Sequence, residues 1–222
     1  MGFPLIATPM VTLLLDIRTA VTILVIPNIV MDFTQAFRRG SPTPVFRRFG
    51  RLLFMTVLGV FLGTKTLVIL PIWILNLSLG IMVVIFAAAN LFESSYQVSP
   101  QLEGILSPIV GFISGFLNGM TNVSGPALAI YLYSLRLKKT DFVKSISTIF
   151  IVNKLGQLVA ITTWNLLTPW NLALSVFVTF LIMTGFYLGL KTQDFVNQKV
   201  FNSALRTLIF IFGVVLIVHA LS

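Results

Sequence analysis

The run Asn118-Gly119-Met120-Thr121-Asn122-Val123-Ser124-Gly125-Pro126 gathers amides, hydroxyls, two glycines and a proline inside an apolar stretch. Glycine frees the backbone for unusual dihedrals, and proline disfavours helix before it, so a helix breaks here. A break leaves backbone N–H groups unpaired at the start of the next helix, and the helix dipole makes that end favourable for an anion. Thr121, Asn122 and Ser124 add neutral donors without a repelling carboxylate. The opening of the chain, Gly2-Phe3-Pro4-Leu5-Ile6-Ala7-Thr8-Pro9, reads as the second half of a similar element. Phe3, Pro4, Thr8 and Pro9 therefore join Asn118, Thr121, Asn122, Ser124, Gly125 and Pro126 as candidate substrate-binding residues. The competing reading of such glycines is close helix packing.

Lys154 is the sharpest single residue. It follows Asp141 by 13 positions, about 20 Å along a helix at ~1.5 Å per residue, so neither end of the helix is within easy reach. A cation at that depth is costly and points to function. It can attract an anionic substrate, hold a gate closed, or pair structurally with Asp32. Asn28, Asn153 and Gln157 share the same two long helices and either line a path or hydrogen-bond between helices. Asp32 is the one acidic candidate within a long apolar helix, so proton coupling falls most simply on it. Lys65 lies about 7 Å from its helix end and snorkels. His219, one turn from the C-terminus, is interfacial.

The elements that must position these residues follow from composition. The 222 residues are 57% hydrophobic and 9% charged, with mean hydropathy +1.00, whereas an average soluble domain carries roughly a quarter charged residues. So little charge cannot wet a globule, which excludes a soluble enzyme and predicts an all-α polytopic membrane protein. A span needs ~20 apolar residues; the segments 17–37, 51–70, 72–92, 141–164, 169–190 and 205–221 meet or nearly meet that length. The stretch 105–136 divides into apolar halves at 105–117 and 126–135, each expected to be too short to cross alone.

The chain has no Cys, one His and two Glu, which argues against a disulfide framework, thiol chemistry or a metal cluster. No cofactor is expected, and no ATP-binding signature is present. The N-terminus lacks the basic region of a cleavable signal, and Ile6 stands where a myristoylation site wants Ser or Thr. An intramembrane serine protease built on Ser124 and His219 is disfavoured: no glycine leads the serine as in rhomboid proteases, and His219 falls too near the chain end.

Pro4-Leu5-Ile6-Ala7 resembles Pro126-Ala127-Leu128-Ala129, and each is followed by a short apolar run, a charged turn and a long helix with a central Asn. The net charge of +9, from 15 Lys+Arg against 6 Asp+Glu, suggests an orientation signal in a membrane chain rather than a nucleic-acid surface. If 105–136 enters and leaves on one side, the loops 38–51, 93–104, 136–144 and 191–206 share that side and hold 12 of the 15 basic residues. The positive-inside rule thus favours a re-entrant hairpin. It also makes the halves inverted repeats, 1–92 and 105–222, each beginning with a broken or re-entrant helix and joined by a linker loop at 93–104.

The stretch Gly111-Phe-Ile-Ser-Gly115-Phe-Leu-Asn-Gly119-Met-Thr-Asn-Val-Ser-Gly125-Pro126, continued by Leu128-Ala-Ile-Tyr131-Leu and Asp141-Phe142, resembles the second-repeat signature of the sulfite exporter TauE/SafE family of membrane permeases. Gly2 to Pro9, with Ala20-Val21, is similar to the end of the first-repeat signature. The likeness covers essentially the whole chain. It implies secondary transport of small sulfur-containing anions, such as sulfite or organosulfonates, across a bacterial inner membrane, by a multi-pass protein whose partners are the anion and the lipid bilayer. Family members usually carry a further apolar stretch before the first signature. The expectation is therefore a truncated start, or a first half-helix supplied by another chain, with a homo-oligomer as one form of that. A membrane subunit or scaffold of a larger transport complex is the alternative.

Overall fold

A computed structural model describes residues 3–37, 41–89, 98–192 and 198–221, leaving aside the side chains at 88–89, 100–101, 125–126, 139, 190–192 and 198–206. Gly2, Arg38, Arg39 and residues 93–97 of the expected linker lie outside the described residues, as do the side chains of Pro126, Lys139, Lys191, Lys199 and Arg206. The described residues form helices and no strand: α1 (Phe3–Leu14), α2 (Ile17–Phe37), α3 (Thr43–Ile69), α4 (Ile72–Ala89), α5 (Pro100–Thr121), α6 (Gly125–Ser134), α7 (Lys139–Thr163), α8 (Pro169–Thr192) and α9 (Gln198–Leu221).

Among the described residues, α2, α3, α5, α7 and α8 are long and apolar enough to cross a membrane. The inclusion of α5 corrects the expectation that its half of 105–136 is short. Ser99 caps the helix by accepting the N–H of Leu102 at 3.4 Å, with a proline in the first turn and Glu103 behind it. The cap starts the helix before the apolar run does. The apolar stretches described within α4 and α9 are Ile72–Ala87 and Thr207–Leu221.

Helix α3 packs along α5 over most of its length. Gly59 and Gly63 of α3 lie so close to α5 that a Cβ on either would collide with the carbonyl oxygen of Phe112 or Phe116. Gly111, Gly115 and Gly119 of α5 are in the same position against the carbonyls of Leu52, Thr56 and Val60. Small residues at four-residue spacing let membrane helices approach to backbone contact. The Thr56 hydroxyl uses that proximity, donating to the Gly111 carbonyl at 2.9 Å. A second joint arises from a proline. Pro27 inside α2 has no N–H for the carbonyl of Ile23, and Ser175 of α8 supplies the missing donor at 2.7 Å.

Two ends of the bundle are identifiable. At one, Arg48 of α3 makes a bidentate ion pair with Glu103 of α5, both contacts 3.0 Å, and the N–H of Val98 donates to the carbonyl of Ser134 at 3.1 Å. The chain thus enters α5 and leaves α6 at one end, as the hairpin reading requires, with Arg47, Arg51 and Arg136 nearby in sequence. At the other end, Asp16 caps α2 by accepting the N–H groups of Arg18 and Thr19. Arg18 in turn donates to the carbonyls of Leu67, Val68 and Leu70 at 2.9–3.0 Å, covering the C-terminal carbonyls that α3 leaves unpaired. Lys65 sits over the ring of Trp164 at this end, 5.7 Å from its centroid.

The apolar interior is divided. One cluster joins α1, α2, α4 and α9 through residues such as Leu5, Val21, Leu75, Leu79 and Leu216. The other joins α3, α6 and α7 through Leu52, Leu128, Leu132, Ile146 and Phe150. Asp32, Asn118, Asn122, Ser124 and Lys154 lie between them.

Candidate functional site

Helix α5 stops at Asn122, which takes a left-handed conformation at φ 65, a geometry that asparagine adopts more readily than most residues. Its N–H still closes the last turn on the carbonyl of Asn118 at 2.8 Å. After Val123 and Ser124 the chain re-enters helix as α6. The break is therefore narrower than the run 118–126, because Gly119 and its neighbours stay helical against α3.

The 10 residues of α6 and the 12 of α1 rise about 15 and 18 Å at ~1.5 Å per residue, each about half of a ~30 Å hydrocarbon core. Helix α6 ends at the Arg48 end and α1 at the Arg18 end, so they run in opposite senses, and their N-terminal ends meet. A narrow recess, with room for about one water, opens where they meet. It is lined by Pro4 and Leu5 of α1, Asn122, Val123 and Ser124 of the break, and Asn118, Phe150, Asp32 and Lys154.

Lys154 is 2% exposed and is the buried cation among the described residues. Its Nζ donates to Asn118 Oδ1 at 2.7 Å, Gln157 Oε1 at 2.9 Å and the Asn122 carbonyl at 3.4 Å, and also to Asn122 Oδ1. Gln157 Nε2 donates to the carbonyl of Asn118 at 2.9 Å, and Asn118 Nδ2 to Gln157 Oε1 at 3.2 Å. The ammonium thus sits at the C-terminal end of α5, where unpaired carbonyls and the negative end of the helix dipole favour a cation. Neutral amide oxygens, rather than a carboxylate, compensate its burial. Asp32 lines the same recess without forming an ion pair with it; among the described residues the ion pair within 4.0 Å is Arg48–Glu103.

The other expected residues divide. Thr8 is fully buried and its Oγ1 accepts from Asn122 Nδ2 at 3.0 Å, tying α1 to the break. Pro9 is buried within α1, and neither it nor Phe3 lines the recess. Thr121 turns its hydroxyl to the carbonyl of Leu117 at 2.8 Å and to Met82 Sδ at 3.6 Å, toward α4 instead of the recess. Gly125 and Pro126 open α6, with proline in the first turn. Asn28 and Asn153 are buried, and Asn28 Nδ2 and both amide atoms of Asn153 have no hydrogen-bond partner. His219, weighed as a base for Ser124, lies in the last turn of α9 and is not among the residues lining the recess.

Sequence reasoning missed Leu5, Val123 and Phe150 as walls of the recess. Phe150 had a signal, since it precedes Lys154 by four positions and a helix puts such residues on one face. Leu5 and Val123 lie inside the two runs already singled out, but as apolar side chains they carried no mark of their own.

The chain matches the family model of the sulfite exporter TauE/SafE family over residues 1–216 of its 222, and it belongs to that family. Membership makes it a membrane transporter of the sulfite-exporter type. No curated protein and no solved structure gives a significant match.

Proposed function

We propose that this member of the sulfite exporter TauE/SafE family is a secondary transporter of a small sulfur-containing anion of the sulfite or organosulfonate class. It binds the anion where α1 and α6 meet, in a recess that widens from the one-water size of this state, and moves it by alternating access. The observation that carries the reading is the meeting of two helix N-termini beside one buried lysine. Each N-terminus offers unpaired N–H groups and a partial positive charge of roughly half a unit. Lys154 adds a full charge, and the apolar clusters on either side keep the local dielectric low, which strengthens all three terms.

Asp32 supplies the coupling. An ionised carboxylate in the recess repels an incoming anion, and a protonated one does not. Proton and anion binding therefore favour each other, and the pair crosses together. Three features support reading the chain as inverted repeats, a plan common among secondary transporters: α1 and α6 run in opposite senses, α2 packs on α7, and contacts of α2 with α8 mirror those of α3 with α7. The repeats are 1–92 and 105–222, and the membrane is a bacterial inner membrane.

The test is flux into proteoliposomes of the purified chain, with sulfite, thiosulfate, sulfoacetate and chloride offered in turn. At least one sulfur oxyanion is expected to move faster than chloride, and Lys154→Ala to reduce that flux. No movement of any anion by the wild type, together with no effect of the variant, defeats the reading.

A further inference from the structure

We propose a second binding site, remote from the recess: an open groove at the Arg48 end of α3 and α5 that holds one anionic phospholipid. The groove has a volume of ≈ 430 Å³ and is lined by Gly50, Arg51, Phe54, Met55 and Pro108. It lies beyond the glycine seam of α3 and α5. From Leu52 and Gly111 onward the two backbones touch, whereas Gly50 and Gly104 have no atom within 4 Å of where a Cβ would stand. The non-helical dihedrals of Phe49, φ −105 and ψ 22, bend α3 at this level, and Pro108 sits opposite in α5.

The lining fits one kind of ligand. Phe54, 63% exposed, Met55 and Pro108 make an apolar floor of the kind an acyl chain covers. Arg51 is the charged member, and no carboxylate is among the lining residues. Arg48, one turn before it, is committed to Glu103, and Arg47 and Arg51 are exposed. The mouth therefore keeps an excess of positive charge at the bundle end where a headgroup lies. A guanidinium matches a phosphodiester through paired N–H donors, and a basic pocket between membrane helices selects anionic over zwitterionic headgroups.

Native mass spectrometry of the full chain, stripped of lipid and offered equal amounts of phosphatidylglycerol and phosphatidylcholine with the same acyl chains, tests this. Expected is one phosphatidylglycerol retained per chain in preference to phosphatidylcholine. Arg51→Gln should lower that retention roughly fivefold and abolish the preference, while Arg51→Lys keeps it. Gly50→Leu, which fills the groove, should lower retention of both lipids. Thermal unfolding in detergent without added lipid checks that each variant is folded; were Arg51→Gln to fail it, the wild-type lipid ratio and Gly50→Leu decide. Equal retention of the two lipids by the wild type, or unchanged retention in folded Arg51→Gln, overturns the proposal. So does displacement of phosphatidylglycerol by glycerol 3-phosphate at matched concentration, which would make it a headgroup site alone.

Discussion

Lys154 and Asn122 terminate α5 together: Asn122 turns the chain at φ 65, and the ammonium of Lys154 donates to both its side-chain and its main-chain oxygen. The same charge therefore stabilises the break and faces the recess. Lys154→Met should cost about 1–3 kcal/mol of stability, because the oxygens of Asn118, Asn122 and Gln157 lose a buried donor. It should also lower anion flux at least about tenfold, the effect of ~1.4 kcal/mol of lost attraction. Detergent-phase unfolding and proteoliposome flux measure the two effects separately. A folded variant transporting at the wild-type rate would leave Lys154 a cap only.

Thr8 bonds the break to α1 through a buried hydrogen bond at 3.0 Å. Thr8→Val keeps the shape and removes the acceptor, stranding Asn122 Nδ2 at a cost of about 1–3 kcal/mol. Thr8→Ser retains the hydroxyl and should stay near wild type. Unfolding midpoints of the pair decide; equal loss in both would mean that packing, not the bond, matters there.

Asp32→Asn mimics a permanently protonated carboxylate. The variant is expected to carry anion down its own gradient while losing the acceleration that an imposed proton gradient gives the wild type. Flux measured with and without that gradient reads this directly, and a variant still driven by it would remove Asp32 from coupling.

The glycine contacts between α3 and α5 make an asymmetric prediction. Gly115→Ala places a methyl against the Thr56 carbonyl and should cost about 1–3 kcal/mol, as overpacking does. Gly104→Ala, in open space, should fall within about 0.5 kcal/mol of wild type. Thermal unfolding of the two proteins side by side tests the distinction.

Much of the site was legible because it contradicts its surroundings. Asn118, Asn122 and Ser124 stand out in apolar sequence, and Lys154 stands out in an apolar helix; all four line one recess. Which way a residue faces was less legible. The helices are apolar on nearly every side, so no periodicity separates Thr121, turned to Met82, from Ser124, which lines the recess. The length of α5 was hidden for a different reason. Its start is set by the Ser99 cap and not by hydropathy. The bond from Ser175 to the Ile23 carbonyl was out of reach altogether, since Pro27 announces a free carbonyl but not which neighbour will cover it.

The glycine-lined seam between α3 and α5 has a mechanical consequence. Two helices in backbone contact along about three turns cannot slide or tilt against each other without collision, so they move as one body. That body carries Asn118 and Asn122, and hence the floor on which Lys154 rests. Among the described residues helix α1 has no such seam; the hydrogen bond of Thr8 to Asn122 ties it to the break. In the proposed transport cycle the α3–α5 pair would serve as the stator, with α1 turning against it.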